Sequence, residues 1–109
     1  MLNQVIIVGR LVQDPKTKEL ENNNKFCVAT LAIPRCYKNN EGIYETDFVP
    51  VILYKGIAEN TSLYCKKGDM IGVKGRIQTR TEENKTIIEI IADKVSFLSS
   101  NLRKEENGE

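Results

Sequence analysis

The sequence predicts an all-β domain, a five-stranded Greek-key barrel with one short α-helix between its third and fourth strands. Two observations carry the prediction. Five runs of β-branched and apolar residues, each stopped by turn-forming residues, account for most of residues 5–97. Only between Ile57 and Lys67 does the spacing turn helical, with Ile57, Thr61 and Tyr64 or Cys65 on one face. With 109 residues, 40% of them hydrophobic, the chain is one domain's worth and can bury a core. A domain this small buries only about two-thirds of its unfolded surface, so association with partners would help it.

The first strand runs from Val5 to Val12 and stops at Asp14-Pro15. Its internal Gly9 would weaken a flat strand, but it suits one that bends sharply enough to belong to two sheet faces. Lys16 to Glu21 is read as an extension of that strand, and Asn22-Asn23-Asn24 as a loop. The second strand runs from Phe26 to Ile33, where Pro34 marks a frayed or edge-facing end. Asn39-Asn40-Glu41-Gly42 is a polar hairpin loop, and the third strand follows from Tyr44 to Tyr54. After the helix, Gly68 is the expected left-handed cap, with Lys66 and Lys67 at the negative end of the helix dipole. The fourth strand spans Met70 to Thr81 and the fifth Lys85 to Phe97, joined by Glu82-Glu83-Asn84. Residues 1–99 are read as the folded domain, and the charged residues 100–109 as a short disordered tail.

Composition removes several function classes. There is no histidine, which excludes Ser/His/Asp and Cys/His nucleophilic catalysis and most zinc sites. The cysteines, Cys27, Cys36 and Cys65, are odd in number and form no CxxC pair, so they read as reduced thiols of a cytosolic protein, mostly packed in the core. Val5 to Val8 is too short an apolar run for a membrane span or a signal-peptide core, so no membrane role is expected. Gly9, Gly72 and Gly75 build no phosphate-binding loop; Gly75 instead lets the fourth strand bend around a barrel. No spacing makes Asp47, Asp69 and Asp93 a metal or nuclease cluster. Neither catalytic residues nor a metal or other cofactor is expected.

Alternation along the strands says more. In the fourth strand Met70, Gly72, Lys74, Arg76, Gln78 and Arg80 share one face, and Ile71, Val73, Gly75, Ile77 and Thr79 the other. One face is cationic, the other core. In the third strand both faces are largely apolar, with Phe48, Pro50, Ile52 and Tyr54 opposite Asp47, Val49, Val51, Leu53 and Lys55. A barrel needs one such face inside. Phe48 and Tyr54 therefore either pack at a subunit contact or stand exposed as aromatic platforms.

Five strands with a helix between the third and fourth is the element order of an OB-fold, which binds oligonucleotides or oligosaccharides across one face. Single-stranded nucleic acid suits the residues available. Unpaired bases stack on rings, for about 1–3 kcal/mol each, while cations neutralise the phosphates. Tyr37, Phe48 and Tyr54 would supply rings, and Arg35, Lys38, Lys55, Lys74, Arg76 and Arg80 charge. Each has a plainer reading, as a core aromatic or a solvated basic face. The net charge of only +1, from 16 Lys and Arg against 15 Asp and Glu, says nothing of where the charges sit. Acids such as Glu41, Glu45, Glu82 and Glu83 fall in or beside hairpin loops, while cations gather on the fourth strand.

Ordered blocks of the sequence resemble the bacterial and phage-type single-stranded DNA-binding protein (SSB) family. They are Met1-Leu2-Asn3-Gln4-Val5, Val8-Gly9-Arg10-Leu11, Asp14-Pro15, Ala29-Thr30-Leu31-Ala32, Thr46-Asp47-Phe48 and the long run Lys66-Lys67-Gly68-Asp69 through Thr79-Arg80. The resemblance covers residues 1 to about 98. It implies an OB-fold homotetramer in the cytoplasm, at the nucleoid, wrapping single-stranded DNA without sequence preference in replication, recombination and repair. Tyr37, Phe48 and Tyr54 match the family's stacking aromatics, often tryptophan, so the smaller rings here should stack less strongly. Lys67 matches a basic residue near the DNA path.

Two departures stand out. The aromatic that the family often carries just after the Thr-Arg pair is replaced here by Thr81-Glu82-Glu83, which implies reduced contact there and a smaller site or different wrapping. The family's acidic tail ending in Pro-Phe, which recruits replication and repair enzymes, has no counterpart in Glu105-Glu106-Asn107-Gly108-Glu109. An accessory or mobile-element version would lack that tip, and so would a shortened sequence. The alternative function is an SSB-like adaptor whose exposed face, with Phe48 and Tyr54, binds a protein.

Overall fold

The computed structural model describes residues 1–20 and 22–99; the tail expected over 100–109 lies outside the described residues. In chain order the elements are β1 (Val5–Leu11), β2 (Lys18–Glu19), β3 (Lys25–Lys38), β4 (Tyr44–Tyr54), α1 (Lys55–Tyr64), β5 (Met70–Glu82) and β6 (Lys85–Ser99). β1 runs antiparallel to β5 from Val5 opposite Gly75 to Arg10 opposite Met70, and its end also pairs with β3 through Arg10–Ala32 and Leu11–Leu31. One strand can serve two neighbours here because Gly9 has no side chain. A Cβ on Gly9 would stand 2.9 Å from the Ala32 carbonyl oxygen and 2.9 Å from Ile33 Cγ1.

The remaining pairings close the ring. β3 and β4 form one antiparallel hairpin, β5 and β6 another, and β4 lies parallel to β6 at Val51–Ile90 and Ile52–Ile91. Five long strands thus form the closed Greek-key barrel, with α1 between β4 and β5. Inward-pointing Leu11, Cys27, Ala29, Leu31, Val51, Leu53, Ile71 and Val73 fill it, and Ala58, Thr61 and Cys65 cover one end. Burial pushes the Cys27 thiol up from its ordinary pKa, which keeps it protonated and inert. Cys36, by contrast, is exposed, outside the expected core.

Several boundaries differ from the sequence reading. Lys18–Glu19 is no extension of β1; past Asp14-Pro15 the chain turns and pairs with the edge of β3, Lys18 opposite Phe26. Pro34 does not end β3, because the ladder runs to Pro34–Thr46, shifts register, and resumes at Lys38–Tyr44. The missing Pro N–H falls where the ladder is interrupted. The helix begins at Lys55, which has φ +51°, and ends at Tyr64, before Lys66 and Lys67. Gly68 is left-handed, at φ +90°, but it sits in the following turn. That turn is sewn to β1 instead of prolonging the helix: Gly68 N–H donates to the Leu11 carbonyl at 2.9 Å, and Leu11 N–H to the Asp69 carbonyl at 2.9 Å. The Asp69 carboxylate accepts from Lys66 N–H at 3.0 Å within it. Glu83 and Asn84, both at positive φ, make the two-residue turn between β5 and β6, the geometry that matches strand twist.

Gly75 marks the sharpest constraint. Between Lys74–Lys94 and Gly75–Ala92 the ladder skips Asp93, and the bulge drives the Ile91 carbonyl oxygen to 2.0 Å from where a Gly75 Cβ would lie. Gly72, three residues earlier, has nothing nearer than 3.6 Å. Gly75→Ala should therefore cost at least about 3 kcal/mol in urea unfolding, against less than about 1 kcal/mol for Gly72→Ala. Equal effects would show that the bulge relaxes freely.

Candidate nucleic-acid interface

Because Cys27, Ala29, Leu31, Val51 and Leu53 take the core, their alternates on β3 and β4 must point outward. The register sets Phe26, Val28, Thr30 and Ala32 opposite Tyr54, Ile52, Pro50 and Phe48 on that outer face. Phe48 is 64% exposed and Tyr54 40%. Two of the three predicted rings therefore share one open apolar face. Tyr37, 60% exposed, lies beyond the register shift in β3, so the alternation that unites Phe48 and Tyr54 does not carry through to it.

The predicted cations fall into two groups. The three arginines are tied to acids. Arg35 donates to both Asp47 carboxylate oxygens and to Glu45 at 2.9 Å, on the sheet face opposite Phe48. Arg76 pairs with the bulge residue Asp93, and Arg80 with Glu82 and, at 2.9 Å, Glu89. The lysines are more open. Lys38 Nζ stands 5.6 Å from the centroid of the Tyr44 ring. Lys55 opens α1 beside Tyr54, and Lys67 lies in the turn before β5, its N–H held by Asp14 at 2.7 Å. Lys74 faces Lys94 and Ile6 on the β1–β5–β6 wall, away from the aromatic face. The structure thus puts Phe48 and Tyr54 on one face, with Lys55 next in the chain at the start of α1, and sets Lys74 on another wall.

Sequence reading left out a cleft of about 640 Å³ between the β1–β2 connection and the turn before β5. Asp14, Lys16, Lys18, Phe26, Val28 and Lys67 line it. The signal was the parity of Phe26 and Val28, which matches that of outward residues once the register with Tyr54 is known. On the opposite wall, Ile6, Val8 and Leu98 form an exposed apolar patch. Among the described residues no cluster of His, Cys, Asp and Glu could hold a metal, and no helix is long and apolar enough to cross a membrane.

The hydrogen bond from Arg35, aided by its charge, holds the Asp47 carboxyl below its ordinary value, and Arg35 is raised in turn, first by that bond. The folded value lies below the unfolded one. Any stabilisation from the pair is therefore complete above about pH 4 and lost as pH falls through the folded value. In a carbon-detected NMR titration, Asp47 should titrate below about 3.9, and Arg35→Gln should bring it back up. An ordinary value in the unsubstituted protein would show that the pair does not persist in solution.

A family model described as the single-strand binding protein family matches residues 2–98. Over 109 residues the chain is 42% identical to single-stranded DNA-binding protein B of Bacillus subtilis, covering 95% of this chain and 96% of that one. It is also 42% identical over 103 residues to single-stranded DNA-binding protein 1 of Staphylococcus aureus, covering 90% of this chain but 66% of that protein. Among solved structures, a deletion mutant of the single-stranded DNA binding protein from Thermus aquaticus superposes with a TM-score of 0.78 at 24% identity, over 92% of this chain and 52% of that one. This last likeness bears on the fold, which is the OB barrel that the strand order predicts. By the family match and the relatives together, the chain belongs to the single-strand binding protein family.

Proposed function

We propose that this protein binds single-stranded DNA without sequence preference, protecting it in replication, recombination and repair. The observation that carries the reading is the outer β3–β4 face, where Phe48 and Tyr54 stand exposed although their strand neighbours fill the core. Bases stack on these rings and on Tyr37. Lys38, Lys55 and Lys67 reach phosphates directly, Lys74 lies beside the subunit contact, and Arg35, Arg76 and Arg80 reach phosphates only by exchanging a carboxylate partner. The role is binding, not catalysis, and is carried out in the cytoplasm by residues 1–99. Relatives named for single-stranded DNA binding favour DNA over the adaptor reading. The protein assembles as a homotetramer, with the Ile6, Val8 and Leu98 wall as one contact.

Titration with oligo-dT against duplex DNA tests the reading. Phe48→Ala and Tyr54→Ala should each weaken oligo-dT binding by about 1–3 kcal/mol with the barrel intact by circular dichroism. Loss of folding in either variant would mark that ring as structural. Affinity should fall with salt at a log-log slope of about −0.7 per phosphate neutralised, and a flat response would remove the electrostatic component. Light scattering should give a mass of roughly four chains, reduced by Ile6→Glu. A monomeric unsubstituted protein would rule out the assembly.

A further inference from the structure

We propose that the cleft between the β1–β2 connection and the turn before β5 is an additional nucleotide position, in which Phe26 stacks a base and Lys16, Lys18 and Lys67 hold the flanking phosphates. The inference rests on single-stranded DNA being the ligand. Its geometry comes from two registers. Lys18 lies opposite Phe26 across β2–β3, and Phe26 opposite Tyr54 across β3–β4. Directly opposed residues of antiparallel strands point to the same side. An ammonium and two rings therefore stand in one row, and the row extends the Tyr54 platform toward the cleft. Partly exposed Val28 continues the apolar floor beside Phe26.

Charge supports the same assignment. Three lysines face one carboxylate, Asp14, which already accepts the Lys67 N–H at 2.7 Å. Among the described residues, Lys16, Lys18 and Lys67 are in no ion pair, while Arg35, Arg76 and Arg80 each are. Uncommitted positive charge thus borders an aromatic ring here. The volume of about 640 Å³ falls within the range of small-molecule pockets, ample for one nucleotide.

The test uses labelled oligo-dT and the full chain. Phe26→Leu keeps apolar bulk but loses the flat π-face, and should weaken binding about tenfold with an unchanged urea midpoint. Lys16→Gln with Lys18→Gln should flatten the salt slope by about 1.4, the equivalent of two phosphates. The chain has no tryptophan, so Phe26→Trp places a unique reporter, whose emission should be quenched when oligo-dT binds. If Phe26→Leu does not fold, the lysine and tryptophan variants decide. Leucine and lysine variants that bind like the unsubstituted protein, or an unquenched tryptophan, would overturn this position while Phe48→Ala still weakened binding. If the unsubstituted protein fails to bind oligo-dT, the broader reading falls and this one with it.

Discussion

β1 has two hydrogen-bonded neighbours, and the barrel exists because of it. Without the contact at Arg10 and Leu11 to β3, the strands would be an open ribbon with bare edges, a liability for any soluble sheet. With it, the ring closes and the interior is fixed in volume. Only one face of each strand can then be inside. A strand apolar on both faces, such as β4, is forced to show Phe48 and Tyr54 to solvent. The aromatic surface is thus a result of closure, and Gly9, where the backbones touch, is its hinge.

The same closure organises charge. Each hairpin extends past the closed ring, where no core is available to hold it. Cross-strand ion pairs brace those extensions: Arg35 with Asp47 and Glu45 on one, Arg80 with Glu89 on the other, where Arg80 also pairs with Glu82 along its own strand. Exposed pairs of this kind contribute little stability, because water and salt screen them. They do neutralise the arms locally. A net charge near zero therefore coexists with a cluster of lysines near the β1–β2 connection, a distribution that no sum over the chain reveals.

Much of this was legible in the sequence. Strand positions followed from β-branched runs and turn residues, and the two-faced apolar character of β4 correctly raised the question of exposed rings. The errors arose where long-range contacts overrode local signals. Lys18 and Glu19 look like a continuation of β1 until β3 is seen to lie alongside them. Pro34 looks like a stop, but β4 pairs on both sides of the gap it makes. The helix ends early because Leu11, far away in sequence, offers its backbone to Gly68 and Asp69. Arg76 and Arg80 read as a basic stripe because Asp93 and Glu89 lie across a hairpin, and Phe26 entered only as the start of a strand because its outward parity is set by Tyr54.

Because Val5 pairs with Gly75, the seam joining β1 to β5 links distant parts of the chain. Each hairpin, β3–β4 and β5–β6, can form from its own neighbouring residues. On the ribosome, β1 emerges long before β5, so its residues 5–9, which pair with β5 and not with β3, wait unpaired through most of synthesis. Such non-local pairing sets folding on the millisecond-to-second scale rather than the microsecond scale. Ile6 and Val8, exposed even in the finished barrel, are then without any neighbour. The interval between making β1 and closing the seam is when the nascent chain is most open to capture by another copy of itself.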